Sequence, residues 1–165
     1  MWYSMVDLMS KPRFKLSQRS LDRLDGVHPD LVRVVKRAID ITEVDFGVTE
    51  GMRTQARQRA LVASGASQTM NSRHLTGHAV DVVAYEGTEI SWQWPLYFQI
   101  AEAFRLAAIQ EDVRLVWGGA WSRCLNDYKT AREASDAYVD GRRAIGRTPF
   151  MDGPHFELYR GKYPA

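Results

Sequence analysis

The spacing of apolar residues along the chain predicts a mixture of helices and short strands. From Pro29 to Ile41 the apolar positions recur every three or four residues, which is the spacing of one buried helix face, and Pro29 suits a first helical turn. Comparable spacing predicts further helices over 17–24, 54–63, 94–109 and 130–143. Short segments that alternate or are rich in valine predict strands over 44–49, 79–84, 114–117 and 155–159.

The order of these elements indicates the fold class. Helices and strands mix without a regular strand–helix–strand alternation, which favours an α+β domain with a small, mostly antiparallel sheet flanked by helices. A length of 165 residues allows one such domain with a real core but not two ordinary ones. We expect residues 15–165 to form this domain and residues 1–14 to be a disordered extension, because Met9 opens a more ordinary start than Met1 does.

Composition narrows the class of protein. With 45% hydrophobic and 25% charged residues, the chain is typical of soluble globular proteins. Its longest apolar runs are far shorter than the roughly 20 residues needed to span a bilayer, so we expect no stable membrane insertion. The first eight residues lack the basic start and apolar run of a signal peptide. The single cysteine, Cys124, suits a reducing cytoplasm and is interpreted as an inert thiol.

The mild basicity of the chain selects no partner by itself. A net charge of +2 and a pI near 8.8 would favour an anionic partner such as nucleic acid, anionic lipid or cell wall. Basic side chains in the first two predicted helices would also suit a helix-turn-helix DNA reader, but acidic residues are interspersed among them. A solvated helix face is the simpler account, and we expect no nucleic-acid partner.

The stretch SRHLTGHAVDVV, residues 72–83, places a charge where burial is expected. Asp81 shares a strand face with Ala79 and Val83, in a segment whose composition indicates burial. A buried carboxylate without a partner would cost several kcal/mol, so a cation or strong donors must lie beside it. A salt bridge to an arginine and a metal ion are both open at this point.

Nearby histidines favour the metal. His74 lies seven residues before Asp81, and Gly77 between them allows the chain to fold back. For a third ligand, His155 begins the last predicted strand in a ligand-like setting, whereas His28 precedes a helix-starting proline and is interpreted as a cap or surface residue. Two imidazoles and one carboxylate leave one coordination position open, which is the pattern of catalytic zinc.

A hydrolytic zinc site also needs a proton acceptor for the attacking water. Asp152 lies three residues before His155 in a tight Asp-Gly-Pro segment that lets it reach the site, with a plain turn residue as the alternative. His78 is a rival ligand, since on a helix it would share a face with His74. Gly77 and the valine-rich continuation argue against a helix, so we expect His78 at the rim of the cleft or just behind the ligands.

These motifs carry a resemblance to a known family. SRHLTGHAVDVV followed far downstream by DGPHFEL resembles the SxHxxGxAxD and (D/E)xxH motifs of the zinc peptidases that include D-alanyl-D-alanine carboxypeptidases and phage L-alanyl-D-glutamate endopeptidases. EGMRT, Gln58 and VWGGAW are also similar to that family, so the resemblance covers nearly the whole predicted domain. It implies a fold of the hedgehog and D-alanyl-D-alanine peptidase type, one Zn²⁺ per chain, and the ligands His74, Asp81 and His155.

The same resemblance implies roles for other residues. Asp152 would be the general base and then the proton donor to the leaving amine. Arg53 would stabilise the developing oxyanion, with a salt bridge at the strand end as its alternative role. Aspartate rather than glutamate at position 152 resembles the L-alanyl-D-glutamate endopeptidases. Contacts to the substrate, a peptidoglycan stem peptide, are expected from Ser72, Gln58, His78, Trp117 and Trp121.

The leading hypothesis is therefore a monomeric, single-domain phage endolysin that cuts the L-alanyl-D-glutamate bond and lyses the host. It would wait in the host cytoplasm until a holin or membrane damage admits it to the periplasmic cell wall. The rivals are a D-alanyl-D-alanine carboxypeptidase or dipeptidase with the same metal centre, and a non-catalytic wall-binding module.

Residues 122–149 carry no catalytic signal. Their basic side chains Arg142, Arg143 and Arg147 would suit anionic wall groups, with a solvated helix face as the alternative.

Overall fold

A computed structural model describes residues 11–164 and contains helices and strands in the mixed order that the sequence predicts. The helices are α1 (Gln18–Arg23), α2 (Pro29–Ile41), α3 (Gln55–Ala63), α4 (Trp94–Gln110) and α5 (Ala131–Ala144). The strands are β1 (Asp45–Glu50), β2 (Ala79–Glu86), β3 (Glu89–Ser91), β4 (Leu115–Trp117) and β5 (His155–Leu158). Two short 3-10 helices cover Arg73–Thr76 and Leu125–Asp127.

The strands form one antiparallel sheet in the order β1-β2-β5-β4, which confirms the predicted α+β class. Strand β3 also pairs with β2, through the register pair Ala84–Ser91. The sequence prediction missed β3, because three residues that include an exposed glutamate and isoleucine show no apolar alternation. β2 is therefore the central strand, with β1 along one edge and β5 and β3 sharing the other.

Helix α4 packs against β2 and β4 on one face of the sheet, and α2 packs against α4, so that both helices contribute to one hydrophobic core. Side chains of alternate residues in the central strands enter this core, as the two-residue period of a strand requires. In β5, Phe156 and Leu158 are fully buried, and the ring of Phe156 stacks on Phe104 of α4 at a centroid distance of 3.9 Å. The intervening residues of β2 and β5 therefore project from the opposite face.

Several helices begin with side-chain caps. Thr54 and Thr130 accept a hydrogen bond from the backbone three residues on, as N-cap residues do. His28 caps α2 through Nδ1, which accepts from the amide of Asp30 at 3.1 Å. The interpretation of His28 as a cap is confirmed.

The predicted extension of residues 1–14 lies largely outside the described part of the chain, which begins at residue 11. Of its last residues, Phe14 is partly buried and packs against the hydrophobic core. Within residues 11–164, no helix combines the length and the apolar character that crossing a bilayer would require.

Candidate metal centre and active site

Asp81 lies at the centre of a cluster on the sheet face opposite the core. Strand register places it beside Glu50 of β1 on one side and His155 of β5 on the other. Its Oδ1 is 3.1 Å from Nδ1 of His155, and its Oδ2 is 3.3 Å from Nε2 of His74. Burial alone would raise the pKa of Asp81, but the adjacent imidazoles of His155 and His74 outweigh burial and hold it far below its usual value.

His74 is placed by the 3-10 helix Arg73–Thr76, whose end is set by Gly77. Gly77 adopts φ +72°, and a Cβ there would lie 2.4 Å from the carbonyl oxygen of Gly26, so the backbone approach requires glycine. Nδ1 of His74 lies 2.8 Å from the carbonyl oxygen of Gly51. Because a carbonyl only accepts, Nδ1 carries the proton, and the lone pair of Nε2 faces Asp81.

His155 is held between two carboxylates. Besides Asp81 at Nδ1, Oε1 of Glu157 lies 2.9 Å from its Nε2. Burial lowers the pKa of His155, but the two carboxylates outweigh burial and raise it to about 10. Glu157 is itself buried, and its other oxygen is 3.8 Å from Nε of Arg73. Nη2 of that arginine donates to the carbonyls of Leu158 and Tyr163 at 3.0 and 2.8 Å.

The three predicted ligands could hold a metal ion together. One ligand atom from each of His74, Asp81 and His155 lies within 4.8 Å of the others. Ligand atoms of a tetrahedral zinc are roughly 3.4 Å apart, given metal–ligand distances of about 2.0–2.2 Å. Nε2 of His74 is buried and lacks a hydrogen-bond partner, which is the state of a nitrogen that needs a cation. The donor set therefore fits a zinc ion.

Arg53 lies beside this cluster and is 9% exposed. Its Nε and Nη2 each donate to Glu50 at 2.7 Å, and Nη2 is 3.7 Å from Oδ2 of Asp81. Nη1 donates to Gln58 at 2.7 Å and to Ser72 at 3.4 Å. Burial lowers the pKa of Arg53, but Glu50 outweighs burial and raises it, so this guanidinium is a fixed positive charge. Arg53 therefore forms the salt bridge to Glu50 and also lies in the candidate active site.

Asp152 enters the same cleft from the loop before β5. Its amide donates to the carbonyl oxygen of Gly118 at 2.9 Å, and a Cβ at Gly118 would lie 2.1 Å from the carbonyl oxygen of Asp152. Glycine is therefore required where the VWGGAW segment meets this loop. Burial raises the pKa of the Asp152 carboxyl, which brings it closer to the range in which a carboxylate both accepts and returns a proton.

These groups share one cleft of about 1110 Å³. It is lined by the three candidate ligands together with Arg53, Asp152, Ser72 and Trp121. The indole of Trp121 lies against the His155 ring at a centroid distance of 5.0 Å. The structure thus brings together the favoured ligands and the two candidate catalytic groups in one place.

Of the five residues expected to contact the substrate, some line the cleft and others do not. Ser72 and Trp121 line the cleft, whereas Gln58 is fully buried behind Arg53 and is anchored by Nε2, which donates to the carbonyl of Thr69 at 2.6 Å. Trp117 is fully buried in the core, where its Nε1 donates to the carbonyl of Gly153 at 2.8 Å.

His78 is also placed away from the residues that line the cleft. Its Nδ1 is 2.8 Å from Oγ1 of Thr76, and its ring lies 5.5 Å from that of His28. The left-handed turn at Gly77 separates the two histidines of the motif, and a position of His78 at the rim of the cleft or behind the ligands stays a prediction.

Two acidic residues of the site were not predicted from the sequence. Glu50 holds Arg53, and Glu157 holds His155. The spacing of Glu157 gave a signal, since it shares a strand face with His155 two residues earlier. Glu50 gave no such signal, because its contact with Arg53 depends on the conformation of the turn that follows β1.

Comparison with known proteins agrees with this geometry. A family model described as phage L-alanyl-D-glutamate peptidase matches residues 12–159. The chain belongs to this family. It is therefore a peptidase by relationship, and the predicted family resemblance is confirmed.

Individual relatives have the same description. The L-alanyl-D-glutamate peptidase of Escherichia phage T5 is 30% identical over 149 residues, which cover 88% of this chain and 98% of that protein. The enzyme of the same name from Listeria phage A118 is 31% identical over 107 residues, or 63% of this chain and 37% of that protein. The crystal structure of the Serratia marcescens L-Ala D-Glu endopeptidase ChiX matches with a TM-score of 0.70 and 42% identity, covering 98% of this chain and all of that one (100%).

Proposed function

We propose that this family member is a zinc-dependent endopeptidase that hydrolyses the L-alanyl-D-glutamate bond of peptidoglycan stem peptides. The observation that carries the proposal is the convergence of His74, Asp81 and His155 within 4.8 Å, in a cleft that also holds Arg53 and Asp152. The relatives' shared specificity supports the choice of bond. A non-catalytic wall-binding module would have no need for the base and the fixed cation beside the ligand cluster.

His74, Asp81 and His155 would hold the zinc ion. When bound, zinc would act as a Lewis acid that lowers the pKa of water and polarises the scissile carbonyl. The hydrogen bond from Nδ1 of His74 to Gly51 fixes the tautomer that leaves Nε2 free for a ligand bond. The hydrogen bond between Nε2 of His155 and Glu157 does the same for Nδ1 of that ring.

Asp152 performs the proton transfers. It takes a proton from water as the water oxygen attacks the carbonyl carbon, and it gives that proton to the amide nitrogen as the C–N bond breaks. The carboxylate is therefore regenerated at the end of the cycle, and its raised pKa makes it a stronger base for the first of the two transfers. Arg53, held rigid by Glu50 and Gln58, places positive charge near Asp81, where it would stabilise the negative charge that develops on the carbonyl oxygen.

The biological role proposed is host-cell lysis. The enzyme would act as a monomer, remain in the host cytoplasm until late infection, and reach the periplasmic wall through a holin or damaged membrane. The family match and the phage origin of the named relatives support this role.

The deciding experiment is mass spectrometry of purified muropeptides digested by the zinc-loaded protein. Release of fragments that begin with D-glutamate is the expected result. Loss of terminal D-alanine alone would replace the proposal with D-alanyl-D-alanine carboxypeptidase activity. No cleavage by protein with a full equivalent of zinc would support the non-catalytic module.

A further inference from the structure

Beyond Trp121 the cleft continues into a second cavity of about 490 Å³. Trp121, Ser122 and Phe150 line both spaces. The indole of Trp121 lies 5.0 Å from the His155 ring on one side and stacks on the ring of Phe150 at 6.1 Å on the other. Together these distances are about the length of three extended residues at roughly 3.3 Å each. The second cavity is therefore within reach of a peptide held across the reaction centre.

Two half-buried arginines line this second cavity. Nη1 of Arg123 donates to the hydroxyl of Tyr128 at 3.1 Å. Nε and Nη2 of Arg142 donate to the carbonyl of Thr148 at 3.4 and 3.2 Å. Neither guanidinium forms an ion pair with a carboxylate of the described residues. Each keeps N–H groups that these contacts do not use.

The other arginine side chains near the cleft either bind a carboxylate or lie alone. Arg53 is bound by Glu50, and the side chain of Arg73 is buried and directed at two carbonyls and Glu157. Arg160 lines the first cleft as a single exposed side chain. Arg123 and Arg142 are thus the pair of arginines that converge on one cavity without a counter-charge in the described part of the chain.

We propose that Arg123 and Arg142 bind a carboxylate of the stem peptide within three residues of the scissile bond. This inference rests on the proposed function and adds to it a subsite for the acidic part of the substrate. Glutamate has two carboxyl groups, so a D-glutamate residue linked onward through one of them keeps the other free. Guanidinium groups bind carboxylates through charge-assisted hydrogen bonds, and the Trp121–Phe150 stack separates this subsite from the charges at the reaction centre.

The test compares two peptides that contain the L-alanyl-D-glutamate bond. They differ only in that all carboxyls outside the peptide linkages within three residues of the bond are free in one peptide and amidated in the other. The wild-type enzyme is expected to show a kcat/KM at least about tenfold higher for the free-carboxyl peptide, mostly through KM. In Arg123→Gln/Arg142→Gln the ratio between the two peptides falls to near one. Because both peptides are measured on one preparation, partial misfolding does not change the ratio.

The matched control is Arg143→Gln/Arg147→Gln, which removes the same charge from exposed residues outside the cavity lining. It is expected to retain the wild-type ratio. A double variant at Arg123 and Arg142 that keeps the ratio overturns the subsite, and so does collapse of the ratio in Arg160→Gln alone. If the wild-type enzyme cleaves neither peptide nor purified peptidoglycan, the proposed function fails instead, so the two failures are distinguishable.

Discussion

Nε2 of His155 lies 2.9 Å from Oε1 of Glu157, two residues further along the same face of β5. The carboxylate accepts a hydrogen bond from one ring nitrogen and leaves the other directed at Asp81, 3.1 Å away. Behind Glu157, Arg73 lies 3.8 Å from the second carboxylate oxygen. A chain of three side chains therefore sets the orientation of one candidate ligand from outside the reaction centre.

Glu157→Gln is expected to weaken zinc binding by about 10–100-fold, because outer partners of metal-bound histidines contribute to ligand basicity and orientation. Competition with a chromophoric chelator measures this affinity. Glu86→Gln, at the exposed end of β2, is the control and should bind zinc as the wild-type protein does. Equal affinity in all three proteins would remove Glu157 from the site.

His74→Ala should lose stoichiometric zinc, whereas His78→Ala should retain close to one equivalent. The ring of His78 contacts Thr76 and His28 rather than Asp81, which is 3.3 Å from Nε2 of His74. Metal analysis after gel filtration measures the bound zinc. Comparable loss from the two variants would require a different ligand set.

Asp152→Asn should reduce the rate of peptide hydrolysis by about 10²–10⁴-fold while zinc remains bound, because the amide cannot accept a proton. Its backbone contacts to Gly118 and His155 do not involve the carboxylate. Single-turnover hydrolysis measures the loss of rate, and the metal content of the same sample shows whether zinc is retained. Undiminished hydrolysis would contradict the role of general base.

Gly77→Ala should destabilise the fold by about 2–4 kcal/mol, since it combines left-handed strain with a backbone clash. The added Cβ would lie 2.4 Å from the carbonyl oxygen of Gly26. Gly87→Ala is the matched control, because its φ is +61° but nothing lies within 4 Å of the added carbon, and it should cost only about 1 kcal/mol. Urea unfolding curves measure both values, and similar losses would show that the close approach is unimportant.

Tyr163→Phe should lower stability by about 1 kcal/mol at neutral pH and by progressively less in acid. The hydroxyl of Tyr163 donates to Oδ2 of Asp30 at 2.7 Å and is the main cause that lowers the pKa of that carboxyl. A lowered folded-state pKa stabilises the fold above the unfolded value of about 3.9, and this contribution disappears as the pH falls through the folded value.

Urea unfolding measures the effect of Tyr163→Phe on the free energy of unfolding, both at pH 7 and at a pH below about 3. Tyr85→Phe is the control, since the Tyr85 hydroxyl makes no hydrogen bond to the described residues. A Tyr163→Phe effect that does not change with pH would indicate lost packing rather than the hydrogen bond to Asp30.

The pattern of residues along the chain is enough to predict the main helices, four of the five strands and the three ligand candidates. These follow from local rules: apolar periodicity sets helices and strands, and a carboxylate in a valine-rich strand needs a cation. His74, Asp81 and His155 were identifiable because their residue types and spacing are informative without knowledge of distance.

The side chains that surround these ligand candidates could be identified only from the packing of the folded chain. The left-handed turn at Gly77 separated His78 from His74, and the burial of Trp117 in the core left Trp121 beside His155. Strand register brought Glu50 to Asp81, and packing brought Arg123 and Arg142 to one cavity. Such contacts join residues far apart in the chain, and their geometry depends on how whole elements pack, which no local pattern of residues specifies.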